Sequence, residues 1–352
     1  MNPFADTLQS LREAFVSGKT RPAEFRIAQL EGLSRFLKEN RNALLDALTQ
    51  DLHKPPFESE ISEISICQSE INLALNSLHS WMKDEHVSRN LATQLDSAFI
   101  RREPYGVVLI IAPWNYPLNL VLVPLVGAIA AGNCVVIKPS EVSRSMEKIM
   151  GDVLPRYLDK SSPDLGRIIN KKHFHRLQGL LGSGQIAIGG QSDEKECYIA
   201  PTVLVDVKET DPVIQEEIFG PILPILNVQS MDEAVAFINK REKPLALYAF
   251  SNNSEVVRQM LERTSSGGFC GNDGFMHMTL TTLPFGGVGN SGMGMYHGKF
   301  TFDAFSHHRS CLLRSSGLEK VNGLRYPPYA QRSLGLLLSL VEISRKSQCT
   351  LL

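Results

Sequence analysis

Few side chains in this sequence offer chemistry. Asn115 stands in Pro113-Trp114-Asn115-Tyr116-Pro117, where a tight turn would hold a neutral amide as a hydrogen-bond donor. By residue type alone it reads as an ordinary turn asparagine. Lys138 and Glu141 follow the apolar run Cys134-Val135-Val136-Ile137 and place a cation and a carboxylate after a strand, the makings of a surface ion pair. Glu217 and Phe219 lie in Glu216-Glu217-Ile218-Phe219-Gly220-Pro221, a charged loop leading into a strand. Cys270 ends a strand and is the best-placed thiol for a nucleophile, yet no base or cation neighbours it, so it reads as a small packed hydrophobe.

Two further patterns fail their own tests. Gly287-Val288-Gly289-Asn290-Ser291-Gly292 has the spacing of a dinucleotide fingerprint but neither follows a buried strand nor opens a βαβ unit, which leaves a glycine-rich turn. His173 and His175 fall in helical context, which separates them, and the six cysteines are scattered without metal-ligand spacing. No metal is expected. Cys349-Thr350-Leu351-Leu352 fits a prenylation box with a leucine that favours geranylgeranyl, and Arg345-Lys346 with the apolar run Leu334 to Val341 supplies a second anchoring signal.

The elements that carry these residues follow from periodicity. Ile27, Leu30, Leu33 and Leu37, then Leu44, Leu45, Leu48 and Leu52, then Cys67, Ile71, Leu75 and Leu78 recur at helical spacing and predict at least two long amphipathic helices, broken at Lys54-Pro55-Pro56. Ser97 to Glu103 reads as an edge strand. Gly106 to Ala112 reads as a buried parallel strand, Leu118 to Ala131 as a helix stopped at Gly132-Asn133, and Cys134 to Ile137 as a second buried strand, together a βαβ unit. Open α/β sheets bind ligands at the carboxyl ends of such strands, here Pro113 to Pro117 and Lys138 to Ser143. A helix ends near Tyr157-Leu158. A later α/β half reads as complete: strand Ile222 to Val228, helix Met231 to Lys240, strand Leu245 to Phe250, helix Ser254 to Thr264 and strand Gly268 to Cys270. The first half lacks a third strand, and two parallel strands make a poor sheet.

With 352 residues, the chain has length for two domains, and Lys plus Arg (36) balances Asp plus Glu (37), which argues against nucleic acid as the main partner. The opening residues show no basic region before an apolar core, and the run Leu334 to Val341 is far short of the roughly 20 residues of a spanning helix. Synthesis is expected to finish in the cytosol.

Ala112-Pro113-Trp114-Asn115-Tyr116-Pro117, Ile137-Lys138-Pro139-Ser140-Glu141, Gln215 to Pro221 and Leu283 to Gly294 resemble, in order, strings of the aldehyde dehydrogenase superfamily, and Tyr296-His297-Gly298-Lys299-Phe300 with Phe305-Ser306-His307 looks like its class 3, of the B-type membrane-anchored members. The resemblance implies NAD- or NADP-dependent oxidation of medium- and long-chain aldehydes to carboxylic acids. It makes Asn115 the oxyanion donor, Lys138 and Glu141 contacts to the adenosine ribose and its phosphate, and Glu217 and Phe219 the holders of the nicotinamide ribose and ring. That chemistry needs a thiolate, an oxyanion site, a hydride acceptor and a base for water.

The family's Phe-Thr-Gly-Ser turn, Glu-Leu-Gly-Gly-Lys string with the general base and Gly-Gln-x-Cys string with the nucleophile do not occur in the chain. In family order they belong between Leu158 and Leu165, where the chain has six residues, Asp159-Lys160-Ser161-Ser162-Pro163-Asp164. The resemblance therefore implies an α/β, aldehyde dehydrogenase-like fold with a truncated Rossmann-like domain and a partial catalytic domain. Its parts are a helical arm plus truncated dinucleotide-binding domain at 1–158, the remaining half of the catalytic domain at 159–298, and an oligomerisation segment with a membrane-anchor tail at 299–352. The expectation is impaired cofactor binding, impaired or absent catalysis, and marginal stability. The implied partners are a fatty aldehyde, a membrane or lipid droplet reached through Cys349, and complete family members met through Phe300 to Leu313; the implied location is cytoplasmic, peripheral on such membranes.

Overall fold

The computed structural model describes residues 5–89, 96–158, 171–194 and 198–314, with isolated positions besides. The arm is helical: α1 (Ala5–Val16), α2 (Ala23–Glu39), α3 (Arg41–Leu52), the single turn α4 (Pro56–Ser59) and α5 (Ser65–Trp81), the last two joined by a π-turn at Glu60–Ile64. The break at Lys54-Pro55-Pro56 is real. His53 turns left-handed at φ 51°, and the prolines cannot donate to a continued helix. The apolar stripes bury as the periodicity requires, with Leu30, Leu33, Phe36, Leu44, Leu48, Ile71 and Leu78 all wholly buried. They pack around α6 (Asn119–Ala131), which is apolar on all sides and buried along nearly its whole length. Gly132 ends α6 in a left-handed cap at φ 94°.

The strands β1 (Glu85–His86), β2 (Ser97–Pro104), β3 (Val107–Ile111) and β4 (Cys134–Lys138) follow the arm. β3 and β4 pair in parallel across α6, from Val107 opposite Cys134 to Ile111 opposite Lys138. The βαβ unit is as expected, but its strands are not buried on both faces. Ile110 turns into the core, whereas Leu109 and Ile111 are 57% and 68% exposed. The physical reason is that, among the described residues, the ladder has two strands and its second face meets only part of α1, while a parallel pair needs a layer on each side. α7 (Arg144–Asp152) stops before Pro155, and a short 3₁₀ turn at Leu154–Arg156 carries the chain to Tyr157, so the helix ends earlier than the periodicity indicated.

The later half comprises α8 (Lys171–Leu180), β5 (Gln185–Ile188), β6 (Ser192–Asp193), β7 (Tyr198–Ile199), β8 (Thr202–Val205), β9 (Ile222–Pro224), α9 (Met231–Asn239), β10 (Ala246–Ala249), α10 (Ser254–Arg263) and β11 (Gly268–Gly271). It is not the complete unit the pattern promised. β10 and β11 form one parallel pair, and β5, β8 and β9 form a separate three-stranded sheet. The strand expected to reach Val228 stops at Pro224. α10 is amphipathic in sequence yet buries no residue. Among the described residues two hydrophobic clusters result: one joins the arm, α6 and α7, and the other buries Leu180, Leu204, Val207, Val213 and Ile222.

The chain then returns. α11 (Gly298–Ala304) lies against α6, where a Cβ on Gly127 would meet Thr301 Cγ2 at 2.2 Å, so only glycine permits this approach. β12 (Ser306–Leu313) pairs antiparallel with β2 from Ser306 opposite Pro104 to Leu313 opposite Ser97. β2 is thereby the middle strand of β1-β2-β12 rather than the edge strand expected, because its second neighbour comes from the far end of the sequence.

Candidate functional site

The turn Pro113 to Pro117 leaves β3 and enters α6, and its residues meet partners from both halves of the chain. Trp114 packs edge-on against Phe219, with ring centroids 5.7 Å apart. Phe219 is held at φ 49°, in the left-handed region that a bulky residue avoids unless its surroundings impose it. Two of the motifs therefore adjoin in space. Asn115 is partly buried, and its Oδ1 accepts no hydrogen bond among the described residues. Glu217 is exposed.

Tyr116 rests under the Lys54 ammonium, 3.9 Å from its ring centroid. Lys54 pairs with Glu63 at 2.9 Å, the two side chains 7% and 0% exposed. The other Glu63 oxygen accepts from the backbone N–H of Leu118 (3.1 Å) and Asn119 (2.9 Å), which caps α6 from the arm. Burial pushes the Glu63 carboxyl above its ordinary pKa, against the pull of Lys54 and these donors. Glu70 makes a second such anchor, meeting His297 Nδ1 at 2.5 Å and accepting from Gly298 N–H at 2.7 Å. Neither carboxylate was singled out from the sequence. Their signal was a place on one helical stripe, with Glu63, Cys67, Glu70 and Ile71 at i, i+4, i+7 and i+8.

Lys138 and Glu141 form an ion pair with each other, both part-exposed, and the hydrogen bond from Lys138 holds the Glu141 carboxyl below its ordinary pKa. The helix N-terminus that follows them is also taken. Asp51 of α3 accepts from Ser145 N–H and Met146 N–H, each at 2.9 Å. A dinucleotide in an α/β sheet needs a crevice at the strand ends and a helix N-terminus facing its pyrophosphate. Here that N-terminus is filled by a carboxylate, and among the described residues no third strand joins β3 and β4 to form the crevice.

Cys270 lies in β11, paired in register with Tyr248 of β10. Burial, and secondarily Cys270, push the Tyr248 phenol up. His277 lies between Tyr248, edge-on at 5.5 Å, and Phe285, tilted at 5.9 Å; both its ring nitrogens are buried and without a partner among the described residues, and burial lowers its pKa. The segment Gly287 to Gly292 is a turn, closed by the Ser291 hydroxyl accepting from Val288 N–H. His173 and His175 lie on α8, and no group of three metal-ligating side chains occurs among the described residues. No helix of the described residues is long and apolar enough to cross a membrane. Cys349, the run Leu334 to Val341 apart from Leu336, and the junction Asp159 to Asp164 lie outside the described residues.

The model of the aldehyde dehydrogenase family matches residues 4–157 and 144–311. The chain is 54% identical to aldehyde dehydrogenase family 3 member B1 of Bos taurus, all of both chains being covered in an alignment 469 residues long. It is 38% identical to the dimeric NADP-preferring aldehyde dehydrogenase of Rattus norvegicus, over 93% of this chain and 98% of that one. In structure it is similar to the substrate-bound AldH of Staphylococcus aureus, with TM-score 0.89 and 33% identity over 97% of this chain and 100% of the other.

Proposed function

The chain belongs to the aldehyde dehydrogenase family, in its family 3, and on that premise we propose that it is a member unable to oxidise aldehydes unaided. One observation carries this reading. The alignment with the cattle relative runs to 469 residues against a chain of 352, and the family match divides near residues 144–157, beside the junction where the nucleophile and base strings are missing. A deleted block, rather than gradual divergence, accounts for the loss of thiol, base and cofactor turn together.

The parent reaction is NAD(P)-dependent conversion of a medium- or long-chain aldehyde to its acid, in which the cofactor accepts hydride. What remains here is the rim: Asn115 to donate to an oxyanion, and Lys138, Glu141, Glu217 and Phe219 as former cofactor contacts. Lys138 and Glu141 now satisfy one another, so dinucleotide affinity is impaired. Without a thiolate no covalent intermediate forms, at a cost of many orders of magnitude in rate.

Purified chain with a long-chain aldehyde and either NAD or NADP is expected to give no increase in reduced-cofactor absorbance. Turnover that Cys270→Ser abolishes would overturn the proposal and make Cys270 a replacement nucleophile. The chain's role is then that of a non-catalytic companion of complete family 3 subunits, or of an isoform cleared by degradation. Its location on membranes or lipid droplets through a lipid on Cys349 is part of the same reading. Cys349→Ser is expected to move the protein from the membrane pellet to the supernatant, and an unchanged pellet fraction would refute the anchor.

A further inference from the structure

The loop that carries Glu217 and Phe219 is held from α8. Arg176 spreads its guanidinium over two points of that loop: Nη1 donates to Glu216 Oε1 and Nη2 to the Ile218 carbonyl, each at 2.7 Å. The next residue, Leu177, closes on Gly220, where a Cβ would meet Leu177 Cδ1 at 2.7 Å. Leu177 and Ile218 both pack on the small cluster around Leu180 and Leu204. Two consecutive residues of one helix thus hold positions 216, 218 and 220, while Glu217 stays exposed and Phe219 meets Trp114.

Phe219 needs that hold. Its φ of 49° is a left-handed conformation that a bulky residue keeps only where its surroundings over-determine it. Trp114 by itself does not supply this, because the two rings meet edge-on and Phe219 is still 49% exposed. The arginine fork does. A planar guanidinium that satisfies a carboxylate with one arm and a carbonyl with the other fixes the backbone between them, whereas an ammonium is a single point charge. Of the two bonds, the one to Glu216 is the weaker contributor, since that carboxylate is 54% exposed and screened by solvent. The bond to the Ile218 carbonyl is part-buried and acts on the peptide that leads into Phe219. Arg176 follows the junction at Asp159 to Asp164, so this hold belongs to what the chain retains.

We propose that Arg176 is a positioning residue of the site: it holds the loop from Glu216 to Phe219 in the conformation that sets the Phe219 ring against Trp114. The inference rests on the reading of Glu217 and Phe219 as former cofactor contacts, and it deepens that reading by naming the residue that keeps this part of the rim in place. It acts through Phe219 and touches no reacting group itself.

The test is acrylamide quenching of tryptophan fluorescence in the full chain. Its two tryptophans differ: Trp81 is 8% exposed in the core, whereas Trp114 is only partly buried, so quenching reads chiefly Trp114. Arg176→Ala is expected to raise the quenching constant by about twofold, to the level of Phe219→Ala, since the ring that shields Trp114 is released. The far-UV circular dichroism stays as in wild type. In the Phe219→Ala background, Arg176→Ala adds nothing, because the ring through which it acts is gone. Arg176→Lys behaves like Arg176→Ala, and it carries the comparison should the alanine variant not fold; Glu216→Gln, which keeps the Ile218 bond, stays near wild type. Wild-type quenching in Arg176→Ala or Arg176→Lys, or a further rise in the double variant, would overturn the inference. Turnover by the purified chain would instead overturn the proposed function and leave these quenching results standing, so the two failures are distinguishable.

Discussion

Leu122 and Leu109 are the same side chain in opposite circumstances. Leu122 sits in α6, wholly buried between helices that the arm itself supplies; Leu109 sits in β3 and points largely into solvent. The contrast holds for the regions around them. The helical body, residues 5–158 with α11, encloses a continuous core, whereas the stretch 171–290 has a buried cluster of five residues and strands divided among small sheets. Helices joined by short turns cover one another with local chain. Parallel strands depend on layers from elsewhere, and a chain that lacks those layers keeps the strands and loses their shelter.

The largest effect is expected at the buried pair that ties arm to turn. Glu63→Ala strands the Lys54 ammonium in the core and uncaps α6, at about 3–5 kcal/mol, read as a lowered urea midpoint in far-UV circular dichroism. A change within error would mean that the arm and α6 are not held through this carboxylate. Next, Leu122→Ala is expected to cost about 2–5 kcal/mol, while Leu109→Ala costs less than about 0.5 kcal/mol and lowers binding of a hydrophobic dye. Equal costs at the two leucines would erase the comparison.

A smaller effect concerns pH. Because burial raises the Glu63 pKa in the folded state, the native protein binds this proton more tightly than the unfolded chain. The group therefore adds stability below its ordinary pKa of about 4.3 and loses that contribution as pH rises through the raised value. Relative to wild type, Glu63→Gln is expected to lack this decline when midpoints are compared from acid to neutral pH; parallel curves would sink the assignment. The smallest effect is at Arg258 on α10, whose partners Glu255 and Glu262 are all on the solvent side. Arg258→Ala is expected to leave the unfolding midpoint unmoved, since exposed pairs contribute little. A measurable loss would show that α10 is structurally engaged.

Much of the helical body was legible in the sequence. The stripes of α2, α3 and α5, the break at Lys54-Pro55-Pro56, and the unit from β3 through α6 to β4 with its stop at Gly132 all follow from local rules that the fold obeys. Burial of the strands was not legible, because an apolar run states only what it would bury against if a layer were present. The pairing of β2 with β12 depends on residues two hundred positions apart in the sequence, beyond any periodicity. In the site, the strings around Asn115 and Phe219 were readable, and their contact through Trp114 was not. Glu63 and Glu70 escaped notice since carboxylates on helices are ordinarily solvated.

The return of the chain to its beginning has one more consequence. With β12 laddered to β2, α11 set against α6 and Glu70 gripping His297 and Gly298, the helical body is closed before and after the interval from Leu158 to Tyr296. Topologically that interval is an insertion, entered and left from the one helical body. A backbone cut between Gly274 and Gly289 is therefore expected to yield two fragments that elute together on size exclusion and separate only in denaturant; separation without denaturant would mean that β12 and α11 do not hold the chain closed.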